Sequence, residues 1–233
     1  MPDHPQPDLA DFTPPPGPAD QPIRSALLQP LSAELHAEDL FRAQAGHDGL
    51  WTYMPYGPFA DAQEYRAWTA QAETSADPLF LAILDPATGR AAGHAAFLRI
   101  DRPNGVIEIG HILLTPALQR GRAGSAALMA MIAWAFERGY RRVEWKCNAL
   151  NAPSRRAALR LGFSYEGTFR NHMIVKGQNR DSAWFAITDD DWTALAPAYD
   201  AWLDPGNFDA GGRQHASLSD LTAGVLPGRS DGP

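Results

Sequence analysis

The chain has 233 residues, of which 45% are hydrophobic and 20% charged, and this fits one globular domain with flanking segments. Its formal net charge of −7 argues against a protein that coats nucleic acid. The single cysteine, Cys147, excludes an intramolecular disulfide, and its apolar strand pattern favours a buried thiol over a nucleophile. No apolar run has the length of a membrane span, and no signal-peptide layout is present. We therefore expect a cytoplasmic protein with neither membrane nor nucleic-acid partners.

Basic residues are concentrated in one stretch of this acidic chain. Residues 112–160 contain nine of the 20 basic residues but only two of the 27 acidic ones. A local basic region in an acidic protein favours a small anionic ligand over a polyanion. For Arg138, Arg141 and Arg142 a solvated helix face is the better explanation.

Composition divides the chain into three predicted segments. Residues 1–22 contain eight prolines and little apolar material, which predicts a disordered arm. Residues 23–203 carry the periodic apolar pattern of a folded domain. Residues 204–233 are rich in Gly, Ser and Asp, which predicts a flexible tail.

Hydrophobic periodicity and turn residues predict the elements in chain order. Those of the first half are a strand at 25–31, helices at 32–46 and 61–74, and antiparallel strands at 79–84, 90–102 and 106–114. Those of the second half are a helix at 124–138, a strand at 142–147, a helix at 151–161, strands at 163–175 and 183–188 joined by a turn at 176–180, and a helix from 189. This order predicts an α/β fold around a mixed sheet.

An aromatic segment, residues 51–59, is broken by Pro and Gly and is therefore predicted to be a loop. Its large side chains either anchor the loop to the core or form the wall of a substrate pocket. Anchoring is the more common role of aromatic loops and is the interpretation we favour.

The strand that ends at Leu114 runs into a turn rich in Arg and Gly, which opens directly onto a long apolar helix. Free backbone N–H groups and the positive end of the helix dipole point the same way at such a turn, and this arrangement binds phosphate. The amides of residues 119–125 are therefore a predicted phosphate cradle. The alternative is a turn that only caps its helix.

Further motifs follow at fixed spacing: Leu114-Thr-Pro116, residues 119–124, Asn151-Ala-Pro-Ser154, Leu161-Gly-Phe163 and Glu166-Gly167. In this order they resemble the GNAT acetyltransferase superfamily, specifically its RimJ/RimL branch of ribosomal-protein N-terminal acetyltransferases, over residues 27–192. The resemblance implies a mixed, mostly antiparallel sheet of about seven strands, splayed at an acyl-CoA site and flanked by helices.

The resemblance also implies acetyl-CoA as co-substrate and no metal, in keeping with the scattered histidines and the unpartnered cysteine. Arg122 stands where the superfamily pattern has a middle glycine, and we expect it to donate to phosphate, while Gly124 lets the ligand approach closely. Asn151 is expected to bond the pantetheine amides, although helix capping explains it as well. The implied cofactor-binding residues are Leu113, Leu114, Gln119, Arg120, Gly121, Arg122, Ala123, Gly124, Ser125, Asn151 and Ser154.

Two residues are the predicted catalytic groups. Many superfamily members carry a tyrosine at the position of Ala158, so Ser154 is the implied hydrogen-bond donor to the departing thiolate. Glu108 is the first candidate for the base that deprotonates the amine, and a solvated strand carboxylate is the alternative. The two-residue period of a strand places His111 on the opposite face from Glu108, where a satisfied core or surface histidine is expected. Asp181 and His172 are more remote candidates.

These observations predict an enzyme that moves acetyl from acetyl-CoA to a primary amine by direct attack. The amine belongs either to a small molecule or to a peptide N-terminus, and the acidic remainder of the chain favours a cationic acceptor. The alternative is a non-catalytic CoA-binding module, which the absent tyrosine and the absent middle glycine keep open. A homodimer is compatible with the sequence.

Overall fold

The computed structural model describes residues 8–23 and 25–226. The strands are β1 (Leu28–Pro30), β2 (Leu79–Leu84), β3 (Ala91–Asp101), β4 (Val106–Leu114), β5 (Arg142–Asn148), β6 (Ser164–Val175) and β7 (Gln178–Thr188). The helices are α1 (Ala33–Gln44), α2 (Ala62–Ala72), α3 (Arg122–Glu137), α4 (Ala152–Arg160), α5 (Asp189–Leu203) and α6 (Leu218–Val225).

The seven strands form one mixed sheet in the order β1-β2-β3-β4-β5-β7-β6. Every neighbouring pair is antiparallel except β4 and β5, which run parallel. That parallel pairing begins at Val106↔Arg142 and ends at Glu108↔Glu144. Beyond it the two strands separate, so the predicted seven-stranded sheet with a splay is confirmed.

Each face of the sheet carries its own apolar core. Helices α1 and α2 cover one face, here called the α1/α2 face, around Trp51, Tyr65 and Phe80. Helix α3 covers the other face, here called the α3 face, where Phe97 and Ile109 are buried beneath it. Strand residues beside the splay belong to both cores. Close-packed layers therefore cover the splay on both faces.

Helix starts follow from capping side chains that the sequence displays. Ser32 accepts a hydrogen bond from the Leu35 amide, and Asp61 accepts one from the Glu64 amide. Thr188 and Asp191 exchange hydrogen bonds in a capping box that begins α5. These caps explain why helix positions could be predicted within a few residues.

Two boundaries differ from the prediction by more than two residues. The hairpin between β6 and β7 turns on only two residues, Lys176 and Gly177, which both have positive φ. Such a two-residue turn matches the twist of the strands, so the polar residues 178–182 continue as strand rather than loop. Strand β1 is limited to three residues because a bridge between Ser25 and Leu28 folds the chain just before it.

Both flanking segments touch the domain where they are described. The carbonyl of Pro15 accepts a hydrogen bond from Arg102, and that of Pro16 accepts one from Tyr140. At the other end, α6 begins at Leu218 with Ser217 as its N-cap, and Leu218 is buried. The division at residues 22 and 203 stays a prediction, and residues 1–7 and 227–233 of the predicted arm and tail lie outside the described residues.

Candidate active site

The turn between β4 and α3 is shaped by its own hydrogen bonds. The buried hydroxyl of Thr115 donates to the Ala92 carbonyl over 2.6 Å, which ties the turn to β3. The amides of Leu118 and Gln119 both donate to the Thr115 carbonyl, and the side-chain amide of Gln119 donates to Leu114. The turn is therefore a rigid structure that exists before any ligand arrives.

This turn leaves the N-terminus of α3 open. Gly121 is the N-cap and supplies no capping side chain, so the first amides of a 16-residue helix face outward together with its dipole. The predicted cradle residues Arg120, Gly121, Ala123 and Ser125 lie together there. A Cβ on Gly124 would lie 2.6 Å from the Leu118 carbonyl oxygen. Gly124 thus permits the close approach of helix and turn. This contact requires a glycine more strictly than the close approach of the ligand that the sequence predicted.

Arg122 makes contacts that the sequence analysis did not anticipate. Its guanidinium donates to the Leu203 carbonyl at the end of α5 and lies 4.8 Å from the centre of the Phe208 ring. The side chain therefore joins the start of α3 to the segment after α5. These contacts hold its positive charge near the helix N-terminus, and its expected direct role as a phosphate donor stays a prediction.

The gap between β4 and β5 opens directly beside this turn. Leu113 and Leu114 pair with His94 and Gly93 of β3 on one side. On the side that faces β5, the described residues of β4 after Glu108 have no strand partner. An unpaired strand edge of this kind can bind an extended chain of amides, as the pantetheine arm of CoA is.

Ser154 lies on the far side of the gap, in the first turn of α4. Its hydroxyl oxygen accepts a hydrogen bond of 3.0 Å from the Trp145 indole, while its backbone amide donates to the Asn151 side-chain oxygen. Asn151 is thus the N-cap of α4, and its side-chain NH₂ group is left to act as a donor. The Cys147 thiol is also a hydrogen-bond neighbour of this hydroxyl. Because the indole donates to the Ser154 oxygen, the serine proton can be directed either to the Cys147 sulfur or to a ligand sulfur.

Glu108 is at the last paired position of β4 and is 3% exposed. Its Oε2 atom is 2.7 Å from Arg99 and 2.9 Å from Lys146, and Lys146 in turn is 2.7 Å from Glu144. Both cations contact Oε2, so Oε1 is turned toward Gly110, where an added Cβ would lie 3.4 Å from it. The carboxylate is held firmly, with one oxygen left for a substrate.

His111 shares the α1/α2 face with Glu108, which corrects the strict alternation expected from the sequence. The register of β3 and β4 shifts between His94 and Ala96, and His111 has a φ of 49°. This bulge places two β4 residues opposite one β3 residue and turns the imidazole to the other face. There it stacks on Tyr56 and its Nδ1 atom is 3.0 Å from the tyrosine hydroxyl.

Burial lowers the pKa of His111 to about 4, and the charges of Arg99 and Arg180 lower it in the same direction. The imidazole is consequently neutral at neutral pH. Burial also raises the pKa of Tyr56 well above its ordinary value. Tyr56 and His111 therefore form an uncharged hydrogen-bonded pair. It lies beside the charged cluster that Glu108 forms with its two cations.

The aromatic loop spans the gap on the α1/α2 face. The Trp51 carbonyl accepts a hydrogen bond from Lys176 of the β6–β7 hairpin, and the Tyr53 hydroxyl donates to the Leu150 carbonyl after β5. Trp51 itself is buried, as the core interpretation predicted. The same loop nevertheless carries Tyr56 to the gap, so the anchoring role and the pocket-wall role are combined.

Several residues of the site were missed by sequence reasoning. Lys146, Arg99 and Trp145 have no local motif, because strand register alone brings them to the gap. Arg180 is the last residue of the predicted turn 176–180, where acceptor specificity was expected without a role for any single residue. By contrast, Asp181 and His172 bond within the hairpin, to Asn171 and Ser182 respectively. Among the described residues there is no group of His, Cys, Asp and Glu that could hold a metal ion, and no helix is long and apolar enough to cross a membrane.

Comparisons with known proteins agree with this geometry. Residues 26–164 match the family model described as an acetyltransferase (GNAT) domain. A GCN5-related N-acetyltransferase from Brucella melitensis is 43% identical, with a TM-score of 0.87 over 91% of this chain and 98% of that one. A GNAT-family protein from Chromobacterium violaceum is 38% identical, with a TM-score of 0.75 over 81% of this chain and 96% of that one.

A more distant structure is that of the microcin C7 self-immunity acetyltransferase MccE in complex with acetyl-CoA and AMP. It is 22% identical, with a TM-score of 0.60 over 69% of this chain and 91% of that one, so the likeness shows the shared fold. No curated protein matched the sequence. The family match covers more than half of the chain. The chain belongs to the GNAT acetyltransferase family and is an acetyl-CoA-dependent acyltransferase.

Proposed function

We propose that the enzyme moves the acetyl group of acetyl-CoA to a primary amine by direct attack in the gap between β4 and β5. The observation that carries this proposal is the separation of these strands beyond Glu108, with the open α3 N-terminus on one side and Ser154 on the other. Pantetheine lies along the free edge of β4 near Leu113 and Leu114. The pyrophosphate lies on the amides of residues 119–125.

Each catalytic group then has one task. Oε1 of Glu108 takes a proton from the amine, directly or through a water molecule, because both neighbouring cations contact Oε2. The neutral amine attacks the thioester carbon, and an amide N–H at Leu113 or Leu114 stabilises the oxyanion. The C–S bond then breaks as the nitrogen releases its second proton to water, and the Ser154 hydroxyl donates a hydrogen bond to the departing thiolate.

We infer the acceptor class from the RimJ/RimL resemblance and from the aromatic loop, residues 51–59, which spans the gap. The hydrogen bonds of Trp51 and Tyr53 tie this loop to the β6–β7 hairpin and to the segment after β5. The acceptor amine belongs either to a small molecule or to a peptide N-terminus. The branch assignment rests on the motifs at Asn151–Ser154 and 161–163. A cytoplasmic location, independence from nucleic acid and membranes, and a homodimer stay predictions.

The test is the release of CoA thiol from acetyl-CoA in the presence of small amines and of short peptides with free or blocked N-termini. We expect release that depends on an amine and yields an equal amount of acetylated product. A protein that binds acetyl-CoA but releases thiol with no amine would contradict the proposal and favour a non-catalytic CoA-binding module.

A further inference from the structure

Arg180 is a charged residue of the gap to which the proposed reaction assigns no task. It lies on β7, two residues before Ser182, whose partner Asn148 is the last residue of β5. Positions 180, 182, 184 and 186 alternate onto the α1/α2 face, where Trp184 packs under Lys146. Arg180 interacts electrostatically with Glu108, Arg99 and Cys147, which border the gap from different strands.

The guanidinium of Arg180 is oriented through a single nitrogen. Its Nε atom donates to the Ser182 hydroxyl over 3.1 Å, and the same hydroxyl is 2.9 Å from Nδ1 of His172. Ser182 is fully buried, so this anchor is fixed. The two terminal nitrogens have no acceptor among the described residues, and they form the fork that binds a carboxylate through two parallel hydrogen bonds.

Charge balance around the gap leaves Arg180 as the surplus cation. The carboxylates of Glu108, Glu144 and Glu166 are paired with three cations, which are Arg99, Lys146 and Arg142. In the part of the chain that the structure describes, no carboxylate forms a salt bridge with Arg180. It is also half-buried, and burial lowers its pKa. A partly desolvated guanidinium without a salt-bridge partner is a binding site for an anion.

We infer that Arg180 binds a carboxylate of the acyl acceptor, so that the substrate is an amine carrying a carboxylate close to its nitrogen. This inference rests on the proposed amine acetylation. In this arrangement the amine of the acceptor lies at Oε1 of Glu108 and its carboxylate lies at the terminal nitrogens of Arg180. The aromatic loop, residues 51–59, covers both groups. A free amino acid has this chemistry, and so does a peptide whose first side chain is acidic. The cationic acceptor expected from the overall charge is thereby replaced by an acceptor with an anionic group.

The experiment uses the full chain, acetyl-CoA and matched acceptor pairs. Each free amino acid is compared with its carboxamide, and each peptide that begins with Asp or Glu is compared with one that begins with Asn or Gln. We expect kcat/KM for the acids to exceed that for the neutral partners at least about tenfold in one of the two comparisons, amino acids or peptides. The comparison that shows the preference identifies the source of the carboxylate.

The variant Arg180→Gln separates recognition of the carboxylate from a general role. We expect it to raise KM for the acid at least about tenfold and to leave the neutral acceptor and the KM for acetyl-CoA within about threefold of the wild type. Arg180→Lys keeps the charge but not the fork and should lie between the two. Arg170→Gln, on the exposed part of the same hairpin, is the matched control and should change neither constant.

Equal turnover of acids and neutral partners by the wild type would overturn the inference while leaving amine acetylation intact. The same holds if Arg180→Gln lowers both activities equally or acts on the KM for acetyl-CoA. Absence of amine-dependent thiol release with every acceptor would instead overturn the proposed function, and the inference with it.

Discussion

Gly124→Ala tests whether close contact between the turn and α3 shapes the CoA site. The added Cβ would lie 2.6 Å from the Leu118 carbonyl oxygen, a backbone atom that cannot swing aside as a side chain would. Overpacking of this kind costs about 1–3 kcal/mol. Helix propensity alone would favour alanine by about 1 kcal/mol, so any net loss of stability reports the clash. Displacement of the turn should also weaken acetyl-CoA binding about tenfold, or about 1.4 kcal/mol.

Gly121→Ala is the matched control in the same turn. Its Cβ would be 3.6 Å from the nearest atom, the Leu118 carbonyl oxygen, and Gly121 has a φ of −100°, which alanine adopts without strain. Loss of the glycine N-cap should cost no more than about 1 kcal/mol. Thermal unfolding and calorimetric titration with acetyl-CoA compare the two variants. Equal stability and equal affinity in both would refute the reasoning.

Three further predictions concern individual side chains. Glu108→Gln should lower kcat by about 10²–10⁴-fold, because the variant has no base. The control Glu144→Gln also removes a partner of Lys146 and should lower kcat less than tenfold (about 1.4 kcal/mol). Similar losses in the two variants would argue against a base at Glu108. Burial lowers the pKa of His94 to about 3, so the folded state binds fewer protons than the unfolded state below pH 6.5 and stability falls as the pH drops. At pH 5.5 this costs about 1.4 kcal/mol, and His94→Leu should remove that loss in urea titrations at two pH values; an unchanged pH dependence would contradict it. Arg122→Gln should destabilise the fold by about 1–2 kcal/mol, because the contacts with Leu203 and Phe208 are lost. In calorimetric titrations it should weaken acetyl-CoA binding less than Arg122→Glu does. Equal binding by Arg122→Glu and the wild type would show that the charge of Arg122 is irrelevant to CoA.

Local chemistry explains what could be predicted from the sequence. Strands β2 and β4 have the predicted bounds because apolar runs between turn residues define both of their ends. Helix α4 was predicted together with its cap, since Asn151 and Pro153 are a local start signal. The phosphate turn was predictable for the same reason, because the sequence itself shows a strand, a glycine-rich turn and an apolar helix in succession.

Non-local chemistry explains the rest. The bulge at His111 depends on how β4 pairs with β3, where an added Cβ on Gly93 would lie only 2.6 Å from the Leu113 carbonyl oxygen. The cluster of Glu108, Lys146 and Glu144 depends on the register of two strands that are far apart in the chain. Neither arrangement has a period or a spacing that can be seen in one sequence.

The central claim is that acetyl transfer occurs in the gap beside Ser154, and kcat of Ser154→Ala with saturating acetyl-CoA tests it most directly. The variant keeps the backbone amide that Asn151 caps, so α4 should still form. We predict a kcat at least about tenfold lower (about 1.4 kcal/mol or more), with the affinity for acetyl-CoA within about threefold of wild type, and partial recovery in Ser154→Thr. A kcat equal to that of the wild type would contradict the role of Ser154 and the placement of the reaction in this gap.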